Sequence, residues 1–271
     1  MPESFLLTAI TADPEIIRAA DAAGVDRIGI DIERIGKTSR QGHLAHARFA
    51  AHVLDDLRTV SAETRHAAIF ARLNPLHGGS RDEIECALAL GARVLMLPYF
   101  THPREVASFV EMIDRRATAV PLLETAEAAA RVSEVVAIDG LTEIMVGLND
   151  LHLSLGLSSP FEVLTSELMA TIASRVRDAG LRFGFGGLAR VGDVSLPVAP
   201  DLVCAQYARL GGTAAWLARS FYAGIAPHEI AEHVSALRQR LRYWSEQPPP
   251  ALAGQRERLA LAIQPAGVQR L

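Results

Sequence analysis

The chain is almost without lysine: of its 27 basic residues only Lys37 is a lysine, the rest being arginine. Cysteine is equally scarce. Cys86 and Cys204 lie far apart and outside any CxxC pair, which argues against a disulfide framework and a thiolate zinc site. Positive charge is not in excess, because 31 acidic residues give a formal net charge of -4 and a pI near 6.1. A nucleic-acid binder would carry a basic face and a high pI instead. No apolar run approaches the ~18 residues of a membrane-spanning helix, and the opening MPESFLLTAI lacks the basic n-region and cleavage signature of a secretory leader. A soluble cytoplasmic chain with no nucleic-acid or membrane partner is therefore expected. What is abundant is apolar material, 49% of 271 residues, enough for one large α/β domain or two small ones.

Short apolar runs alternate with longer helical patterns. The runs are FLLTAI (5–10), RIGIDI (27–32), AAIFARL (67–73), RVLMLP (93–98), AVPLLE (119–124), EIMVGL (143–148), RFGFGG (182–187) and DLVCAQY (201–207). Most are continuously apolar, as parallel strands are when helices cover their outer face. Between them PEIIRAADAAG, REVASFVEMIDRRA and SELMATIASRVRDAG read as amphipathic helices, several opening on Pro or Asp and closing on Gly24, Gly91 or Gly180. Eight strand-then-helix units in this length fit an α/β (β/α)8 TIM barrel, expected over residues 1–245. A doubly wound sheet fits less well, since TADPE and no GxGxxG follows the first strand. Residues 246–271 begin with a proline run and are expected to form a tail outside the barrel body, packed on a neighbouring subunit or loosely docked.

In such barrels catalytic groups stand at the C-terminal strand ends. On this assignment Arg72 ends strand three, Glu124 ends strand five, and Asn149 and Asp150 follow strand six. Adjacent strands lie ~4.8 Å apart, so the carboxylates of Glu124 and Asp150 can converge on one cation. Two acids that close repel unless something positive separates them. An oxygen-only ligand pair with open positions favours Mg2+ or Mn2+. Taken singly, Glu124 could merely offset a helix dipole and the Asn-Asp pair could be a turn; together, with Arg72 across from them, they read as a site. A guanidinium at the end of a buried strand needs an anion, either a structural carboxylate or a substrate. His77, on the loop after it, reads as an ordinary surface residue.

GARVLMLPYF, PLLET and IDGLTEIMVGLNDLHLSLG, preceded by RLNP, resemble the HpcH/HpaI aldolase and citrate lyase β-subunit family, from about Asp26 to Phe221. The resemblance implies a metal-dependent barrel of the phosphoenolpyruvate-mutase type, acting on a carbon–carbon bond beside a pyruvate-like enolate. Carried over by position, it implies Glu124 and Asp150 as ligands of Mg2+ or Mn2+ (Co2+ also fits), and Arg72 as the residue holding the 2-oxo acid. It further implies a small 2-oxo acid and an aldehyde as partners, and a homo-oligomer, trimer or hexamer, with a C-terminal helix after Gly212 swapped between subunits.

The sequence departs from that pattern at two places. Arg34 stands where the family's aldolases carry a histidine proton shuttle, in IDIERIGKTSRQ, and Leu122 replaces a glutamine two residues before Glu124. Asp31 and Glu33 are the nearest candidate bases, with metal-bound hydroxide a third and His43 and His46 weaker ones. Lys37, Arg40 and Gln41 concentrate in the loop IGKTSRQGH, as a clamp for an anionic group or as a solvated charged loop. Gly186, Gly187, Gly211 and Gly212, in turns placed after strands seven and eight, would let backbone N–H groups approach a substrate anion; tight turns, with Thr213 as an N-cap, are the alternative. Asn149 is a further substrate-binding candidate. A Schiff-base aldolase needs a lysine inside the barrel; Lys37 reads as lying on a polar loop, so the metal route is expected. A CoA-thioester lyase, or a barrel that binds without catalysis, are the alternatives.

Overall fold

The computed structural model describes residues 5–37, 40 and 52–263. Gln41, His43 and His46 lie outside the described residues. Strands and helices alternate along the chain: β1 (Leu6–Ile10), α1 (Pro14–Ala22), β2 (Arg27–Asp31), α2 (Leu57–Glu63), β3 (Ala68–Arg72), α3 (Ser80–Ala89), β4 (Val94–Leu97), α4 (Pro103–Ile113) and β5 (Thr118–Leu123). They continue with α5 (Ala126–Ala130), α6 (Val132–Val135), β6 (Glu143–Val146), α7 (Leu148–Ser154), α8 (Pro160–Thr165), α9 (Glu167–Asp178), β7 (Arg182–Leu188), α10 (Pro200–Leu210), β8 (Ala214–Leu217), α11 (Arg219–Tyr222), α12 (Ile230–Ser245) and α13 (Pro249–Ala262). All eight strands are parallel and close into one barrel, β8 pairing with β1. The expected (β/α)8 barrel is the observed one.

Two apolar layers follow from the strand pattern. Phe70, Val94, Met96, Val120, Leu122, Met145 and Ala214 meet inside the ring, while the larger core lies between strands and helices. Because both faces of each strand are buried, the strands read as unbroken apolar runs. Leu122, where the family carries a glutamine, belongs to the inner filling. Among the described residues no helix is long and apolar enough to cross a membrane.

One element differs from the sequence expectation. DLVCAQY is part of helix α10, and strand eight is the shorter AAWL of β8. Residues 202–207 are all buried. The Tyr207 ring stacks on Phe185 with centroids 3.8 Å apart, and its hydroxyl donates to the Phe185 carbonyl at 2.8 Å. The far side of α10 meets α12 and α13. A helix covered all round has no polar stripe, so a short apolar run within it looks like a strand. The punctuation was there: Pro200 opens the helix, and Gly211, at φ 70°, closes it in the left-handed conformation. In consequence Gly211 and Gly212 precede β8 and lie at the N-terminal end of the barrel, away from the substrate role expected of them. Directly after Gly212 the chain enters the strand β8, and the helices expected after Gly212 come beyond it, as α11 and α12.

The proline-led segment forms α13, which lies against α10 and α8 of its own chain. Leu259 is buried there, and Arg256 donates to the Thr165 carbonyl at 2.8 Å and to Glu167 at 2.7 Å.

Two polar fastenings set the frame. Across the barrel's N-terminal end, the Arg27 fork on β2 donates to both oxygens of Glu143 on β6, at 2.8 and 2.7 Å. Asp21, in the last turn of α1, accepts backbone N–H groups of Arg65, His66 and Ala67 at 3.0, 3.0 and 2.7 Å, tying α1 to the turn that enters β3. Burial pushes the Asp21 pKa up, but the three donors outweigh it and hold the carboxyl below its ordinary value.

Glu143→Ala leaves a buried guanidinium unpaired and is expected to cost about 3 kcal/mol, read as a lower urea midpoint; a loss under about 0.5 kcal/mol, the size of an ordinary surface change, would show that the pair does not hold the barrel. For Asp21, a folded pKa below the unfolded value of ~3.9 means stability that is present above about pH 4 and lost as pH falls through the folded pKa. Asp21→Asn is therefore expected to unfold at lower urea than the parent at pH 7, with the gap closing towards pH 3. A gap independent of pH would show that the carboxylate charge contributes nothing.

Candidate active site

At the C-terminal strand ends charge replaces the apolar filling. Asp31 ends β2 and Arg72 ends β3; Glu124 follows β5 directly, and Asp150 lies in the first turn of α7, after β6. Glu33, Lys37 and Arg40 come from the connection leaving β2. The four carboxylates, of Asp31, Glu33, Glu124 and Asp150, are each at most 3% exposed.

Arg72 is oriented by Asp31. Its Nε and NH2 donate to the two Asp31 oxygens at 2.9 and 2.6 Å, its NH1 stands 3.4 Å from Glu33 Oε2, and its guanidinium lies 5.0 Å over the Trp216 ring. Burial opposes the charge on both partners and is overcome on both. Arg72 and Lys37 hold the Asp31 carboxyl far below the usual carboxylate range, and Asp31 and Glu33 raise the Arg72 pKa. Asp31, expected as a candidate base, thus has both oxygens bonded to the Arg72 fork.

Lys37 is not on a solvated loop. It is buried, with Nζ 3.2 Å from Asp31 Oδ2 and 2.8 Å from Glu33 Oε2. Arg40 reaches further in: NH2 pairs with Glu33 Oε1, Nε lies 3.3 Å from Asp150 Oδ1, and the guanidinium sits 3.6 Å over the Tyr99 ring. Arg34, at the family histidine position, is exposed and turned away, donating to the His52 carbonyl at 3.0 Å. The connection is anchored beside it. Asn74 Oδ1 accepts the Arg34 and Ile35 N–H groups at 2.8 and 3.1 Å, and Glu83 holds Asn74 in turn. His52 Nδ1 accepts the Asp31 N–H at 3.2 Å.

Glu124 is the most constrained of the acids. Its Oε1 accepts the Tyr99 N–H at 2.9 Å, and Tyr99 adopts a φ of 47°, rare for a residue with a side chain. On its other side lies Gly147, where a Cβ would come within 2.1 Å of Glu124 Oε2. Burial raises the Glu124 pKa well above the ordinary value; the charges of Glu33 and Asp150 raise it further, against Arg72 and the Tyr99 N–H.

Oxygens of Glu33, Glu124 and Asp150 all lie within 4.8 Å of one another, and all three residues are buried. Three acids in that space repel, and a divalent cation is one group that would relieve the repulsion. The donor set is oxygen only, which suits Mg2+ or Mn2+. The site expected from the sequence as Glu124 with Asp150 thus has a third carboxylate, Glu33, which the sequence placed only among the candidate bases. Tyr99 and Trp216, the ring platforms for Arg40 and Arg72, carried no signal in the sequence: Tyr99 follows the fourth apolar run, and Trp216 lay outside all eight runs. Gly186 and Gly187 lie at the C-terminal end of β7, half-buried, and Asn149 is exposed beside the inward-turned Asp150. His77 Nδ1 accepts the Gly79 N–H at 3.1 Å, a local loop contact.

Known proteins share the fold and part of the sequence. A hydroxypyruvate/pyruvate aldolase of Rhizorhabdus wittichii is 35% identical over 92 residues, a match spanning 30% of this chain and 37% of that protein. The crystal structure of an HpcH/HpaI aldolase from Desulfitobacterium hafniense DCB-2 shares the fold at a TM-score of 0.62 and 15% identity, covering 91% of this chain and 95% of the other. An HpcH/HpaI aldolase/citrate lyase family protein from Burkholderia cenocepacia J2315 does so at 0.63 and 17%, covering 89% and 94%. The model of the HpcH/HpaI aldolase/citrate lyase family matches residues 5–190, so the chain belongs to that family.

Proposed function

We propose that this chain is a metal-dependent, class II carbon–carbon lyase that cleaves or forms the bond next to a pyruvate-like 2-oxo acid. The observation that carries the reading is the juxtaposition of three buried carboxylates with an arginine whose fork is already oriented. Glu124 and Asp150, bordered by Glu33, would hold the divalent ion, Mg2+ or Mn2+. When bound, such an ion supplies Lewis-acid stabilisation to negative charge developing on the donor.

The chain's own groups do the rest. Asp31 takes two nitrogens of Arg72 and leaves the NH1 edge directed at the acid cluster, where a 2-oxo acid would lie. There Arg72 binds the donor's oxygens and stabilises enolate charge, a preorganised donor aimed where charge appears. Burial among Trp216 and the inner apolar layer excludes water, which strengthens that interaction. With Asp31 bonded twice to Arg72, Glu33 is the remaining candidate to take the proton of the substrate hydroxyl, through Oε1, once Arg40 gives up its hold on that oxygen.

The direct test is turnover of 4-hydroxy-2-oxo acids, read as pyruvate released. Activity is expected to vanish with a chelator and return with Mg2+, Mn2+ or Co2+. Glu124→Gln should lower kcat/KM by at least about a thousandfold with an unchanged melting temperature; an active Glu124→Gln enzyme would remove this site from the reaction. Asp31→Asn is expected to cost about a hundredfold in kcat through misaimed Arg72, with Mn2+ affinity retained. Release of a CoA thioester, or a metal-loaded protein inert to a wide panel of aldehydes, would overturn the assignment.

A further inference from the structure

Arg40 has no part in the reaction as derived, yet it is built into the acid cluster. Its guanidinium bridges Glu33 and Asp150, a third edge donates to the Ile35 carbonyl at 3.2 Å, and the plane rests on Tyr99. We propose that Arg40 is a resident counter-ion which a divalent metal must displace in order to load the centre. The inference rests on the metal centre proposed above.

Space and charge both argue for exchange. The ligand oxygens of Glu33, Glu124 and Asp150 are all within 4.8 Å of one another. An Mg2+ or Mn2+ ion bonds oxygen at ~2.1 Å, so an ion held by Glu124 and Asp150 would compete with the Arg40 guanidinium for the Asp150 carboxylate. Two cations at contact in a buried site repel strongly. Both Glu33 oxygens are also engaged, Oε1 by Arg40 and Oε2 by Lys37. Among the described residues, the four buried carboxylates face three cationic side chains, Arg72, Lys37 and Arg40. Replacing Arg40 by a divalent ion brings the positive charge to four, equal to the carboxylates, whereas keeping both leaves an excess.

The three cations are not equivalent in their freedom to leave. Arg72 is on a barrel strand, and Asp31 grips it with two bonds. Lys37 is buried against two acids. Arg40 lies beyond β2 and beyond Arg34 and Ile35, whose N–H groups Asn74 holds, so displacing its side chain leaves those bonds in place. Its side chain is also the most exposed of the three, at 13%.

The test measures Mn2+ affinity on the full chain without substrate, from the free-ion electron paramagnetic resonance signal, in the parent, Arg40→Ala and Glu124→Gln. Arg40→Ala is expected to bind Mn2+ about tenfold to a hundredfold more tightly than the parent, the range of one charge-assisted contact released. Ethylguanidinium added to Arg40→Ala should then compete with Mn2+ and leave the parent unaffected. Should Arg40→Ala fail to fold by circular dichroism, Arg40→Lys, which keeps the charge but loses the fork, is expected to bind more tightly than the parent by a smaller factor. Equal affinity in parent and variants, or weaker binding in the variants, overturns the role of Arg40 and leaves the metal centre standing. Absence of Mn2+ binding from parent and Arg40 variants alike, matching Glu124→Gln, overturns the metal centre itself and this inference with it.

Discussion

Burying several carboxylates at one end of a closed barrel is the constraint around which the upper half of this molecule is arranged. Each charge taken from water must meet an opposite charge or a donor, or the fold loses several kcal/mol. Asp31 meets the Arg72 fork, Glu33 is reached by Lys37, Arg40 and Arg72, and Glu124 has the backbone N–H of Tyr99. What remains unbalanced is Glu124, whose pKa is raised first by burial and then by the charges of Glu33 and Asp150. A centre left short of positive charge in this way is suited to a divalent ion.

The two ends of the barrel use charge differently. At the N-terminal end Arg27 and Glu143 satisfy each other completely, one fork on one carboxylate, and nothing is left over for chemistry. At the C-terminal end the groups are shared: Asp31 and Glu33 each meet more than one cation, and Arg72, Lys37 and Arg40 each meet more than one acid. A closed pair is stability. An open network, with more acids than cations, is a place where a ligand can complete the balance. Parallel strands impose this asymmetry, because every connection that can carry such groups over the mouth leaves from the C-terminal ends.

Much of this was legible along the chain. Seven of the eight strand runs stand where the structure has strands, because buried parallel strands are continuous apolar runs and few other segments of that length look alike. The exception, DLVCAQY, is apolar for a different reason: α10 is buried between Tyr207's contacts with the barrel and two outer helices. Misplacing strand eight carried Gly211 to the wrong end of the barrel, since in a repeating βα unit one shifted element exchanges top for bottom. Lys37 and Arg40 were seen as a charged cluster, but a loop's sequence does not say whether its charges face water or fold back over an acid site.

The sequence by itself determined the repeating strand–helix order, hence a barrel, and the strand-end positions of Arg72, Glu124 and Asp150, because an acid or arginine terminating an apolar run has little freedom in where it emerges. Only the tertiary structure decided that Glu33 joins the acids, that Asp31 steers Arg72, and that Lys37 and Arg40 turn inward onto them. Those contacts join residues up to 110 positions apart through side-chain direction and loop path, which no local periodicity encodes and which closure of the ring alone brings within a few ångströms.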